Sequence, residues 1–206
     1  IYLGGGTPSL LTSAQITALL NTVAETFGID SDAEISCEAN PGTVAPAQLS
    51  GYRAAGINRL SLGLQSFDDN NLRMLGRSHH CAESLASVEM ARKAGFDNLS
   101  LDLIFALPRQ TLLNLTDELS QVLDLQPEHI SIYGLTVEEG TELERRVQQG
   151  KLIPCSDELY AEQYRMIHDR LESAGYDHYE ISNFAKPERR CRHNQNYWLR
   201  QPCLAA

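Results

Sequence analysis

The sequence predicts an α/β fold, a partial barrel of parallel strands wrapped by helices, and three observations carry that expectation. Short apolar strand patterns alternate with helix-length amphipathic segments from the first residue onward, which is the arrangement of a parallel sheet with helices packed outside it. One joint recurs. Ala55-Gly56-Ile57-Asn58, Ala94-Gly95-Phe96-Asp97 and Ala174-Gly175-Tyr176-Asp177 each read as a helix end, a left-handed glycine cap, an apolar residue folding back and the next strand. Polar residues at or near the exits of successive strands, Thr7, Glu38, Gln65 and Asp102, would converge on one rim of a curled sheet. A full eight-stranded barrel takes about 250 residues. Here five strands lie between Ile1 and Tyr133, and His178–Phe184 adds a sixth extended stretch, so the barrel is expected to be incomplete.

The chain opens on an apolar strand, Ile1-Tyr2-Leu3, running into the glycine-rich turn Gly4-Gly5-Gly6-Thr7-Pro8. Thr12-Ser13-Ala14-Gln15 has the form of a capping box; Ile16, Leu19, Leu20, Val23 and Phe27 follow at helical spacing until Gly28. A strand over Glu34–Glu38 ends at the turn Asn40-Pro41-Gly42. The helix through Leu49, Tyr52 and Arg53 leads to a strand over Arg59–Gln65, and Asp68–Leu75 reads as a short capped helix. After Gly76-Arg77-Ser78-His79-His80, Leu85, Val88 and Ala91 mark another helix, and Leu99–Phe105 is a buried-looking strand containing one carboxylate. Leu115, Leu119, Val122 and Leu123 define the helix before the strand His129–Tyr133. A short charged helix spans Glu142–Val147, and a longer one, capped by Ser156, turns Tyr160, Tyr164, Ile167 and Leu171 inward. Residues 1–150 are expected to form the barrel core, and 151–206 a helix plus an extended segment beginning a C-terminal region.

At 206 residues and 42% hydrophobic, the chain can bury a substantial core. A net charge of -10, from 27 acidic and 17 basic residues, leaves no electrostatic footprint for nucleic acid. No apolar run approaches the roughly 18 residues of a membrane span, and the first residues lack a signal-peptide pattern. The expectation is therefore a cytoplasmic protein with no integral membrane segment. Cys37, Cys81, Cys155, Cys191 and Cys203 are scattered without close metal-ligand spacing, so neither a disulfide framework nor a set of metal ligands is expected.

Gly4-Gly5-Gly6-Thr7-Pro8 matches neither the Walker phosphate loop nor the dinucleotide fingerprint; it serves either as a tight strand-to-helix turn or as a place where bare N–H groups meet a polar ligand. Glu38 and Asp102, carboxylates in apolar strands, need partners, whether a structural salt bridge or a ligand. Arg77 suits forked pairing with a ligand carboxylate or exposure on a loop. His79 and His80 are expected to be solvated loop residues. The tail Arg189-Arg190-Cys191-Arg192-His193-Asn194-Gln195-Asn196-Tyr197-Trp198 suits a flat, anionic or iron-bearing ligand, or a surface loop with an aromatic anchor.

Taken in order, Gly4-Gly5-Gly6-Thr7-Pro8-Ser9, Glu38-Ala39-Asn40-Pro41, Asn58 through Phe67, Leu75-Gly76-Arg77-Ser78-His79, Asp102-Leu103-Ile104 and His129 through Tyr133 resemble the oxygen-independent coproporphyrinogen III oxidase family of radical S-adenosylmethionine (SAM) proteins. The ending Tyr179 through Ala185, with Arg192 through Trp198, is similar to the haem-chaperone branch of that family. The resemblance covers nearly the whole chain. It implies a partial (β/α)6 TIM-like barrel, here lacking its first strand, whose strand ends bind SAM against a [4Fe-4S] cluster. Gly5, Gly6 and Thr7 would hold the methionine amino end, with Glu38 nearby. Gln65 and Asp102 would bind the ribose side, Arg77 the methionine carboxylate, and the backbone from Tyr133 to Thr136 would flank the adenine. His193 is the candidate contact for haem iron or propionates.

The function so implied is a haem chaperone with a radical SAM core, a haem carrier with no catalytic residue assigned, passing haem to an unidentified acceptor protein. The alternative is an authentic oxidase that decarboxylates porphyrinogen propionates; a third reading is an unrelated barrel enzyme using the glycine turn for phosphate. Phe105-Ala106-Leu107-Pro108-Arg109 departs from the family pattern, with alanine and arginine where glycines are usual. The family's Cys-x3-Cys-x2-Cys cluster loop is expected upstream of Ile1, and the cover of the barrel beyond Trp198. Iron and sulfide analysis of this chain after reconstitution should find no cluster; a stoichiometric one would sink that assignment.

Overall fold

The computed structural model describes residues 1–205. Strands β1 (Tyr2–Leu3), β2 (Ser36–Ala39), β3 (Arg59–Gln65), β4 (Leu99–Phe105) and β5 (His129–Gly134) pair in parallel, each beside its predecessor. That order winds in one direction, as a barrel does, without the reversal that defines a doubly wound sheet. Helices α1 (Ser13–Phe27), α2 (Pro46–Ala55), α3 (Asp69–Met74), α4 (Cys81–Lys93) and α5 (Leu112–Asp124) fill the crossovers, followed by α6 (Glu142–Gln148) and α7 (Asp157–Ser173).

The sixth extended stretch differs from a further parallel strand. It is a hairpin of β6 (Asp177–Glu180) and β7 (Asn183–Ala185), with β7 antiparallel to β5 and β6 outermost. Only Ile181 and Ser182 separate the two strands, too few residues for the crossover that a parallel pair requires. A last helix, α8 (Arg192–Trp198), follows.

Local signals act where the sequence puts them. The Thr12 hydroxyl accepts from the Gln15 N–H, and the Gln15 side chain returns the bond to the Thr12 N–H at 2.8 Å. At the recurrent joint Gly56, Gly95 and Gly175 take φ of 109°, 87° and 85°, and Ile57, Phe96 and Tyr176 fold back into the core. The helix faces are narrower than the spacing suggests. In α1 only Ile16 and Leu20 are buried, while Leu19 and Phe27 lie exposed. On α7 Tyr160 is partly exposed and Gln163 is buried in its stead. Gln163 accepts from the Ala106 N–H and donates to the Gln110 carbonyl, both at 3.0 Å, satisfying buried loop backbone that no strand or helix pairs.

Period-two alternation divides the sheet into unlike faces. Leu60, Leu62 and Leu64 of β3, with Leu99, Leu101 and Leu103 of β4, belong to the core under the helices. The opposite face carries Tyr2, Arg59, Ser61, Gly63, Ser100 and Asp102, then His129 and Ser131. Register stacks these in tiers: Tyr2, Ser36 and Arg59 lowest; Glu38, Ser61, Ser100 and His129 next; then Asp102, Ser131 and Asn183.

Both departures from the family pattern fall at positive φ, 59° at Ala106 and 66° at Arg109, where L-residues are strained and glycine is not. Because Arg109 is exposed, Arg109→Gly should raise unfolding stability by about 0.5–1 kcal/mol. Urea denaturation measures this, and a destabilised variant would contradict it.

Candidate functional site

The polar face encloses a cavity of about 490 Å³. Gly6, Glu38, Gln65, Arg77, Asp102 and His193 all line it, so six of the nine sequence-derived site residues meet in one space. Gly5 and Thr7 flank Gly6 on the same turn but do not line the cavity. Thr136 lies elsewhere, in a second cavity with Leu135, Leu143 and Val147.

Asp102 sits mid-strand in β4 rather than at its exit. Ser61 Oγ lies 3.1 Å from both of its carboxylate oxygens and Ser100 Oγ 3.2 Å from one. Burial raises its pKa, opposed by the Arg59 charge and by these hydroxyls. Glu38 accepts a 2.7 Å hydrogen bond from the Tyr2 hydroxyl. Gln65 has φ of 69° where the β3–β4 register shifts, an unusual backbone for a non-glycine residue and one that turns its amide into the cavity. A side chain at Gly63 would stand 2.9 Å from Gln65 Nε2 and 3.2 Å from Asn40 Oδ1, so glycine there keeps the rim open. Arg77 follows α3 and reaches the cavity half-buried; burial lowers its pKa and the Asp102 charge raises it.

His79 contradicts the expectation of a solvated loop histidine. It is buried, its Nε2 3.3 Å from the Leu64 carbonyl, a tie that braces the strand end carrying Gln65. His80 is exposed beside Asp69. The tail arginines are largely internal struts: Arg192 donates to the Asp32 carbonyl at 2.6 Å, and Arg190 pairs with Asp177 at 3.3 Å and lies over the Tyr179 ring. They fix α8 across the open side of the half-barrel, where His193 stacks on Tyr2 at 4.6 Å and meets Tyr197 edge-on at 5.0 Å. Burial lowers the His193 pKa.

Sequence reasoning missed Arg59, Ser61, His129, Ser131 and Asn183, all of which line the cavity. Their signal was the alternation of polar with apolar residues in three strands, on the same face as Glu38 and Asp102. His129 is the most constrained. Its Nδ1 is 2.8 Å from Ser100 Oγ and its Nε2 2.7 Å from Tyr179 Oη. Burial, with the Arg59 charge, holds its pKa well below the ordinary value.

Two carboxylates, an amide and an arginine meeting in one cavity on the inner face of a parallel sheet are the arrangement of a partial α/β barrel protein. The chain belongs to the radical SAM superfamily, whose family model matches residues 1–120, and within it to a HemW/HemN-like group. It is 42% identical over 198 residues to the Heme chaperone HemW of Haemophilus influenzae, spanning 96% of this chain and 51% of that one. It is 43% identical over 202 residues to the HemW of Synechocystis sp., spanning 98% and 49%. The chain thus spans about half the length of the curated relatives it matches. In solved structures it is similar to the coproporphyrinogen III oxidase HemN from Escherichia coli, described as a radical SAM enzyme. The TM-score is 0.81 at 30% identity, covering 95% of this chain and 45% of that one. No helix among the described residues is long and apolar enough to cross a membrane.

Among the described residues no three His, Cys, Asp or Glu side chains converge as a metal site. Cys37 lies in the apolar core, Cys203 is exposed and the others are separate thiols. These cysteines do not fit an iron–sulfur cluster.

His129 is neutral in the fold, whereas the unfolded chain takes up its proton below about pH 6.5. Its folded pKa being depressed, its contribution to stability is intact above that pH and declines as the pH falls below it. Asp102 and Glu118, whose pKa values burial raises, act with the opposite sign, so the comparison must be differential. The stability advantage of the wild type over His129→Gln should shrink between pH 7 and pH 5 in urea unfolding. A constant gap would show that His129 is not buried neutral.

Proposed function

We propose that this chain forms the SAM-binding half-barrel of a HemW-like haem chaperone. The observation that carries the reading is the meeting of Gly6, Glu38, Gln65, Arg77 and Asp102, from separate strand–helix segments, at one cavity. A volume of about 490 Å³ is in the range that encloses one ligand of drug size. SAM presents a carboxylate, an ammonium, a sulfonium and a ribose diol. Arg77 is the partner for its carboxylate, Glu38 for its ammonium, and Gln65 and Asp102 for the ribose hydroxyls, with Gly5, Gly6 and Thr7 offering backbone and hydroxyl groups beside them. Thr136 remains a candidate at the adenine side only if the second cavity connects to the first when the ligand binds. The residues of this chain would bind and orient SAM; the cluster that radical chemistry in this family requires is not one that the cysteines of this chain would hold.

Haem is cargo in this reading. The cavity has room for one such ligand, so haem would meet the protein at α8, where Tyr197 and Trp198 are exposed and His193, which reaches the cavity from the same helix, has its pKa lowered by burial. A neutral imidazole is the form that ligates iron. The likeness to HemN favours a second reading, porphyrinogen oxidative decarboxylation. Anaerobic conversion of coproporphyrinogen by the whole protein would support it, and haem binding without conversion would support the chaperone.

Arg77→Gln should weaken SAM binding by about tenfold to hundredfold, the worth of a charged hydrogen-bonded pair, in isothermal titration; unchanged affinity would remove Arg77 from the site. Haem titration of the whole protein, read at the Soret band, should show weaker binding for His193→Ala, and equal affinity would exclude His193.

A further inference from the structure

Arg59 is the largest fully buried side chain in the molecule, 2% exposed, and it lines the cavity. Its Nε has no hydrogen-bond partner among the described residues. None of the ion pairs found there includes it. The two carboxylates of the cavity are engaged by others: Asp102 by Ser61 and Ser100, Glu38 by Tyr2. A buried guanidinium without a partner is not a state proteins maintain for stability.

We propose that Arg59 is the anchor of a carboxylate-binding subsite at the strand-start end of the barrel, closed beneath by α8.

Position separates this subsite from the rim. Arg59 begins β3 and Gln65 ends it, and six residues of strand span roughly 20 Å. The SAM reading therefore neither needs Arg59 nor supplies it with a partner. The surroundings select the ligand. His129 is neutral, and Tyr179, Cys191 and Asn194 are uncharged. Of the carboxylates nearby, Asp102, on which the Arg59 charge acts, is held by Ser61 and Ser100, Glu38 accepts from Tyr2, and Glu34 accepts from the Arg192 N–H. A guanidinium whose neighbouring carboxylates are already held by hydroxyls takes at most one further negative charge, and its planar fork matches a carboxylate. A phosphate or sulfate dianion would keep a second charge uncompensated. Asn194, whose Nδ2 lies a long 3.4 Å from Tyr179 Oη, can add a donor from α8. The ligand class is thus a carboxylic acid, or the carboxylate arm of a larger molecule, entering along the barrel axis.

The test titrates the protein with acetate at constant ionic strength, following the arginine Nε–H resonances by NMR. The Arg59 signal should shift saturably. Acetate affinity should fall by about tenfold or more in Arg59→Met and by a smaller factor in Arg59→Lys, which keeps the charge but loses the fork. Sulfate should not displace acetate. An unshifted Arg59 signal, equal affinity in Arg59→Lys, or displacement by equimolar sulfate would overturn the proposal. If Arg59→Met fails to fold, the wild-type titration and Arg59→Lys still decide. SAM binding is read by isothermal titration with SAM and the subsite by the Arg59 resonance with acetate, so failure of the SAM reading and failure of the carboxylate subsite are separate results.

Discussion

Charges inside this half-barrel are kept apart rather than paired, and much of the structure follows from that. Asp102 is held by serine hydroxyls and Glu38 by a tyrosine hydroxyl. Neutral donors satisfy a carboxylate without consuming a cation, so Arg59 and Arg77 remain available to something that enters from outside. Direct pairing of arginine with carboxylate would close the space and neutralise it. Small residues cooperate: Ser61, Gly63, Ser100 and Ser131 stand where a closed barrel carries bulky branched side chains, and the volume they leave is the cavity.

The polar interior is tolerable because the opposite face of the same strands is thoroughly apolar. Leucines of β3 and β4 join side chains from α1, α2, α4, α5 and α7 in one continuous core, which supplies the hydrophobic stabilisation the inner face does not. Site residues consequently ride on strands whose own positions are fixed from behind. Gln65 illustrates the benefit, since a strained backbone persists only where the surroundings hold it, and His79 supports that strand end from its buried position.

At its open side the sheet is completed by local devices rather than by another parallel strand. The β6–β7 hairpin pairs against β5, and α8 reaches from Tyr179 of β6 to Tyr2 of β1 and to the Asp32 and Glu34 segment ahead of β2. Arginines that look like an anionic ligand site in the sequence serve mainly as struts for this bridge. Among the described residues the cations left without an ion pair at the cavity are instead Arg59, drawn from a strand, and Arg77, drawn from the turn after α3.

The sequence by itself determined the order of elements from β1 to α7, the caps at Thr12 and Ser156, the three glycine joints and the extents of β3 and β4, but not the β6–β7 hairpin or α8, because the former depend on contacts a few residues apart and on periodicity. Through motifs in family order it also pointed to Gly5, Gly6, Thr7, Glu38, Gln65, Arg77, Asp102 and Thr136 as one site; Gly6, Glu38, Gln65, Arg77 and Asp102 line one cavity, while Gly5, Thr7 and Thr136 do not line it. Helix faces were legible only in part: Leu19, Phe27 and Tyr160 fit the helical spacing, yet which of them meets the core depends on where neighbouring helices lie. His129 looked like strand filler, and Arg59 like one member of a motif. Only the tertiary structure decided that period-two alternation places both on the concave face, that serines take the place of arginine beside Asp102, and that α8 lies beneath them. Those outcomes rest on register and on packing between segments far apart in the chain, which no local pattern encodes.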